Sequence, residues 1–100
     1  MKEFIRFKLK GCPACVDSQP AWNNFTRSCR GRLAKGCRLK EIDSEKAQAY
    51  PFEVDSFPTY VIYSVGTVTP YEGSRETADL RKHIQKNGFM KKSRKKKPRS

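Results

Sequence analysis

The sequence predicts an α/β domain, a four-stranded mixed sheet flanked by helices. Two runs of alternating apolar and polar residues, 3–9 and 37–43, bracket a helical pattern, as in a strand–helix–strand unit with parallel strands. Two further strand-like runs follow, "FPTYVIYSVG" and "TVTPYEG", with only a tight turn near residues 65–67 between them. That spacing makes an antiparallel hairpin. A last helical pattern closes the domain.

Each element has its own signal. Phe4, Ile5, Phe7 and Leu9 give residues 3–9 their strand character. "GCPAC" breaks the alternation, and Pro13 suits the first turn of a helix, where its missing N–H is not needed. Val16, Trp22, Phe25 and Cys29 fall roughly on one helical face, which places a helix over about residues 12–29 with a kink at Pro20. Gly31 and Gly36 in "RGRLAKG" mark a turn. "CRLKEID" is the second strand, and "SEKAQAY" a short helix with Ser44 as its N-cap. Pro58 stands at the start of the third strand, where a proline is tolerated. The final helix, within "SRETADLRKHIQKNG", buries Leu80 and Ile84, is capped by Ser74 or Thr77, and stops at Gly88. His83, the only histidine, is expected to be a solvated residue of that helix.

A chain of 100 residues, 36% hydrophobic, supports one domain with a small core. Its net charge of +12 is unevenly placed. Seven of the 22 Lys and Arg residues lie in 91–100, "KKSRKKKPRS", which holds no acid; residues 1–90 keep fifteen against ten acids, or +5. The expected organisation is a domain over 1–90 and a disordered basic tail over 91–100, too poor in apolar residues to fold alone. Lys91, Lys92, Arg94, Lys95, Lys96, Lys97 and Arg99 suit a nuclear localisation signal read by an import receptor, or an arm that binds nucleic-acid phosphates. They equally suit solvated charge that steers acidic protein substrates. With no aromatic or amide side chain, the run does not read bases.

The first residues, "MKEFIRFKLKG", contain no apolar run of signal-peptide length, and no stretch approaches the ~20 apolar residues of a membrane span. A soluble monomer of a reducing compartment is expected, cytoplasmic or nuclear, cellular or viral. There, four cysteines point to catalysis or metal binding rather than a disulfide framework.

Cys12 and Cys15 stand three positions apart in "GCPACV". Three readings are open: a redox dithiol, half of a zinc site, or two core thiols. Position 12 follows a strand and opens a helix, where free backbone N–H groups and the helix dipole stabilise a thiolate. Cys15 lies one turn further in, close enough to attack a mixed disulfide formed at Cys12. The dithiol reading therefore makes Cys12 the exposed nucleophile and Cys15 the buried resolving thiol. Seven residues separate Cys29 from Cys37, too many for a second zinc knuckle. Those two are expected to be small, partly buried core thiols rather than a regulatory or structural disulfide. No metal and no organic cofactor is required.

In combination these residues resemble the thioredoxin superfamily, nearer to thioredoxin and protein disulfide isomerase domains than to glutaredoxins. The resemblance covers roughly residues 4–87. It rests on "CPAC", on Pro20 five residues after Cys15, on "LKEIDSEKAQAYPFEVDSFPTYVIY", and on the Tyr-x-Gly-x-Arg pattern and final helix in "YEGSRETADLRKHI". It implies a minimal thioredoxin-like fold, a cis Pro58 facing the dithiol, and exchange with protein disulfides or dithiols. It also implies substrate contact through Pro13, Ala14, Phe57, Pro58 and Thr59. The chain departs from the family in four places. The extra first strand and helix are missing. Gly11 replaces an aromatic residue, and Pro13-Ala14 matches neither the Gly-Pro nor the Gly-His pair that tunes redox potential. The buried acid six residues before the first cysteine, which in the family helps deprotonate the resolving thiol, is here Arg6. A cation there makes the surroundings of the sulfurs more positive, which favours thiolate. The sequence thus carries one leading reading, a thiol-disulfide oxidoreductase. The alternatives are a thioredoxin-like binding module tethered to nucleic acid by its tail, and a small zinc protein.

Overall fold

The computed structural model describes residues 1–91. The elements are β1 (Lys2–Lys8), α1 (Pro13–Cys29), β2 (Cys37–Asp43), a 3₁₀ helix (Ser44–Ala49), β3 (Thr59–Ser64), β4 (Thr67–Tyr71) and α2 (Thr77–Lys86). The expected order and the mixed four-stranded sheet are both present. The sheet order is β2-β1-β3-β4. β1 pairs in parallel with β2, from Lys2 opposite Cys37 to Lys8 opposite Asp43. It pairs antiparallel with β3, from Lys2 opposite Ser64 to Phe7 opposite Thr59.

A central strand is covered on both faces, and β1 shows it: Phe4, Ile5, Arg6 and Phe7 are all fully buried. Phe4 points into the larger core with Trp22, Phe25, Cys29, Tyr60, Ile62, Leu80, Ile84 and Phe89. Both helices pack on that face. Ile5 and Phe7 point the other way, toward Ala47 and Val61. Among the described residues the second face carries no long helix; it is closed by the 3₁₀ helix and by Tyr50, Phe52, Val54 and Phe57 from the segment before β3.

Several local expectations shift. In α1 the buried residues are Cys15, Ser18, Trp22, Phe25 and Cys29, a 3-4-3-4 stripe. Val16 falls one position off that stripe and is 62% exposed. The segment after β2 is a 3₁₀ helix whose N-cap is Asp43, without a side-chain cap bond, rather than an α-helix capped by Ser44. Pro51 explains why it stays short, since the residue before a proline is driven to extended geometry, and Tyr50 has φ −98° and ψ 147°. α2 starts at Thr77 with Glu76 at its N-cap. Ser74 Oγ instead accepts the Glu76 N–H at 3.0 Å, and the Thr77 hydroxyl donates to the Ala21 carbonyl. His83 is not solvated: its ring lies 4.4 Å from that of Tyr71 and 5.6 Å from that of Phe4, and burial holds its pKa below the ordinary value. Pro70 lies in β4, an edge strand, as the missing N–H requires.

The basic tail begins at the edge of the described residues. Lys91 is exposed, and its N–H donates to the Arg32 carbonyl at 2.9 Å. Lys92, Arg94, Lys95, Lys96, Lys97 and Arg99 lie outside the described residues. Among the described residues no helix is long and apolar enough to cross a membrane.

The β3–β4 turn stores local strain. Val65 and Gly66 both have positive φ, 38° and 77°. Glycine tolerates that geometry, but a β-branched side chain does not. We expect Val65→Asn to stabilise the domain by about 1 kcal/mol, the order of the left-handed penalty it relieves. A thermal melt checks this, with Tm rising by about 4–8 °C.

Candidate active site

β1 and α1 together place the dithiol. β1 ends at Lys8, and a short loop with Gly11 at φ 79° turns the chain into α1. Cys12 is the N-cap residue of α1, in extended geometry, and its sulfur accepts the Cys15 N–H at 3.4 Å. That is the position a cap side chain normally fills with oxygen. Cys15, one turn on, is 4% exposed and accepts the Leu9 N–H at 3.4 Å. The two cysteines approach to 3.2 Å, and both are free thiols.

The same turn treats the two sulfurs oppositely. Hydrogen bonding from Cys15, with a smaller attraction from the Arg75 guanidinium, holds the Cys12 thiol below its ordinary pKa. Burial pushes the Cys15 thiol up, and the neighbouring Cys12 adds to this. Cys12 is therefore the more readily ionised sulfur and Cys15 the protonated reserve.

The segment before β3 closes the site from the other side. The Phe57–Pro58 peptide bond is cis, and the Phe57 carbonyl lies 3.7 Å from the Cys12 sulfur. Pro58 is buried. Thr59 begins β3 and turns its hydroxyl to the Ser56 carbonyl at 2.6 Å. Beside them a cavity of about 410 Å³ is lined by Ser56, Pro58, Thr59, Tyr71 and Arg75. Pro13 is exposed and Ala14 half-buried at the start of α1. A second cavity of about 430 Å³ is lined by Lys8, Lys10, Gly11, Cys15 and Gln19 and opens onto Cys15.

Behind the dithiol lies Arg6, fully buried. Its Nη2 donates to the Cys15 carbonyl and to Ser18 Oγ, each at 2.8 Å. Its Nη1 donates to Gln19 Oε1 at 3.0 Å and forms a 2.5 Å ion pair with Glu41. Its Nε reaches the Tyr60 hydroxyl at 3.3 Å. A cation without these partners would not survive burial. The guanidinium favours the Cys15 thiolate, but less than burial opposes it. The expectation that Arg6 would make both sulfurs more acidic is corrected in this respect: the cation acting on Cys12 is Arg75.

Cys29 and Cys37 stand apart from this centre. Cys29 is fully buried in the larger core, where burial raises its pKa, and Cys37 is half-buried at its edge. Among the described residues no group of three or more His, Cys, Asp or Glu side chains is placed to hold a metal ion.

The fold and the site point the same way as a family model for thioredoxin, which matches residues 2–86. The chain belongs to the thioredoxin family. This thioredoxin-family domain is similar in fold to the J-Trx1 fragment of ERdj5, at 24% identity and a TM-score of 0.73, over 86% of this chain and 42% of that one. It is also similar to the first thioredoxin domain of mouse protein disulfide-isomerase A4, at 18% identity and 0.71, over 97% and 68%. A third likeness is to thioredoxin-2 of the malaria parasite, at 21% and 0.66, over 86% and 82%. At these identities the likeness concerns the fold. The chain spans less than half of the ERdj5 fragment. No curated protein sequence matches it.

The Arg6–Glu41 pair gives this thioredoxin-family site a signed test. Glu41→Gln leaves the guanidinium unbalanced, so Cys15 should ionise at lower pH, shifting the midpoint of mixed-disulfide resolution down. It should also cost stability, about 3–5 kcal/mol for an uncompensated buried charge. The double variant Arg6→Gln/Glu41→Gln removes both charges and should move the midpoint up. Stopped-flow resolution rates against pH, on samples shown folded by circular dichroism, check both signs. Slower resolution by Glu41→Gln at every pH would make Glu41 the proton acceptor instead.

Proposed function

We propose that the domain is a thiol-disulfide oxidoreductase acting on protein substrates through Cys12 and Cys15. The observation that carries this reading is the asymmetry of the pair: a half-exposed sulfur held at a helix N-cap, and a buried one on the neighbouring turn, the two residues approaching to 3.2 Å. Membership of the thioredoxin family supports it at the level of the fold and general chemistry.

The reaction follows from the geometry. The Cys12 thiolate attacks one sulfur of a substrate disulfide in line with the S–S bond. A Cys12–substrate disulfide forms, and the second substrate sulfur leaves as thiolate and takes a proton from water. Cys15 then loses its proton to solvent through the cavity that reaches it and attacks the Cys12 sulfur. The Cys12–Cys15 disulfide forms and the substrate leaves with two thiols. Two electrons have passed from the domain to the substrate; the reverse sequence oxidises a substrate dithiol. Helix-dipole and N–H stabilisation of Cys12 makes it the better leaving group as well as the nucleophile.

The backbone beside Pro58 and the adjoining cavity suit an extended substrate segment laid across the dithiol, with Phe57, Pro58 and Thr59 on one side and Pro13 and Ala14 on the other. No metal or organic cofactor enters any step.

Cys12→Ser should abolish turnover of a disulfide-linked test protein, whereas Cys15→Ser should accumulate the mixed disulfide, visible by mass spectrometry without reductant. Turnover by Cys12→Ser would end this reading. The pH dependence has a fixed sign. A thiol held below its ordinary value of 9.0 reacts through its thiolate at lower pH than an unfolded one. Iodoacetamide labelling of Cys12 in the Cys15→Ser background tests the part of that shift that survives loss of the Cys15 side chain, which comes from the backbone N–H groups of residues 15 and 14 and from Arg75. Its midpoint should lie below 9.0 and move up in denaturant.

A further inference from the structure

The strands and helices run between two ends of the molecule. α1 leads from the dithiol to Cys29, a span of about 25 Å for 17 residues. The far end is made of the loop after α1, the start of β1, the end of α2 and the residues beyond it. Main-chain bonds splice these together: Ala34 N–H to the Phe89 carbonyl at 2.7 Å, Lys91 N–H to Arg32, and Lys2 N–H to Gly36 at 2.8 Å.

The charges are sorted between the ends. Residues 18–40 and 80–100 contain no Asp or Glu. Nine of the ten acids therefore lie on segments at or approaching the dithiol end. The exception, Glu3, is engaged by Lys40 at 3.0 Å. The far end carries Arg27, Arg30, Arg32, Lys35, Lys86 and Lys91, all exposed. Among the described residues none of these six forms an ion pair; the four ion pairs use Arg6, Lys8 and Lys40. Six more Lys and Arg residues, 92–99, follow directly in the sequence.

We infer that this end of the folded domain is a binding surface for the phosphate backbone of a nucleic acid, with the dithiol on the opposite end. Unpaired cations gathered without carboxylates gain most from a partner that presents many phosphates at short, regular spacing and releases counterions on contact. Three of the six are arginines, whose planar forks match phosphate oxygens. No aromatic side chain is exposed among the described residues, so base stacking is not on offer and binding is sequence-independent. An anionic membrane fits less well. Among the described residues the large apolar side chains exposed near this end are Met1 and Val65, and both helices spend their apolar faces on the core. The surface is independent of the redox reading.

The test compares three forms of the full chain by fluorescence anisotropy with a duplex DNA of random sequence, across a salt series: the parent and two triple variants. One variant carries Arg30→Gln, Arg32→Gln and Lys86→Gln. The other carries Lys8→Gln, Lys10→Gln and Lys46→Gln at the dithiol end, with the same net charge. The first should bind about tenfold or more weakly, with the log–log salt slope reduced by about 2–3, one step of ~0.9 for each phosphate no longer neutralised. The second should stay near the parent. Equal weakening in both variants would reduce the effect to net charge. Unchanged binding by the first would transfer the role to the tail. Binding to phosphatidylserine vesicles but not to DNA would replace the nucleic acid by a membrane. Each of these three results overturns the inference.

Discussion

The buried guanidinium of Arg6 is the constraint around which the rest of the domain is arranged. It sits on the central strand, on the face that packs against α1, among side chains that otherwise exclude water. Its hydrogen bonds tie β1 to three other elements: the first turns of α1, β2 through Glu41, and β3 through Tyr60. A planar fork accepts few geometries, so the pair fixes how α1 is seated on the sheet. The carbonyl it holds belongs to Cys15. The position of Cys15 is thus tied to a charge pair in the core as well as to the Leu9 N–H of the loop that precedes it.

That arrangement separates two tasks usually carried by one environment. The helix N-cap holds the Cys12 pKa down, chiefly through hydrogen bonding from Cys15. The core decides how hard it is to ionise Cys15, where desolvation and a nearby cation pull in opposite directions. Beyond the effect the two sulfurs have on each other, different groups act on each: burial and Arg6 on Cys15, Arg75 on Cys12. The cis Pro58 segment adds a third, distinct contribution: it sets what lies against Cys12 without touching the charge pair.

Much of this was legible in the residues. Strands whose apolar positions alternate under a two-residue period announce themselves, and β2 begins and ends where the alternation does. "CPAC" between a strand and a helix located the dithiol, and Pro58 in "FPT" located its opposite wall. What escaped was long-range. The resemblance put Arg6 at a buried position near the sulfurs but did not give its counter-charge, since Glu41 is 35 positions away. Val16 looked apolar enough for the core, yet the helix stripe is set by Cys15 and Ser18, one of them polar. The cover of the second face, Tyr50 to Phe57, has no periodicity because it is neither helix nor strand. Arg75 lay in plain view within "YEGSRE", but its effect on Cys12 depends on how the chain returns after β4.

α1 connects the two ends of the molecule without a break, from the cap at Cys12 to Cys29. A helix of that length is stiff on the scale of the domain, so it acts as a spacer of fixed reach. Whatever holds the far end also fixes the radius on which the sulfurs move. A partner chain immobilised within that radius meets Cys12 at an effective concentration set by geometry rather than by its abundance in solution. A partner held flush against the anchoring surface stays out of reach, however strong its own affinity for the thiolate.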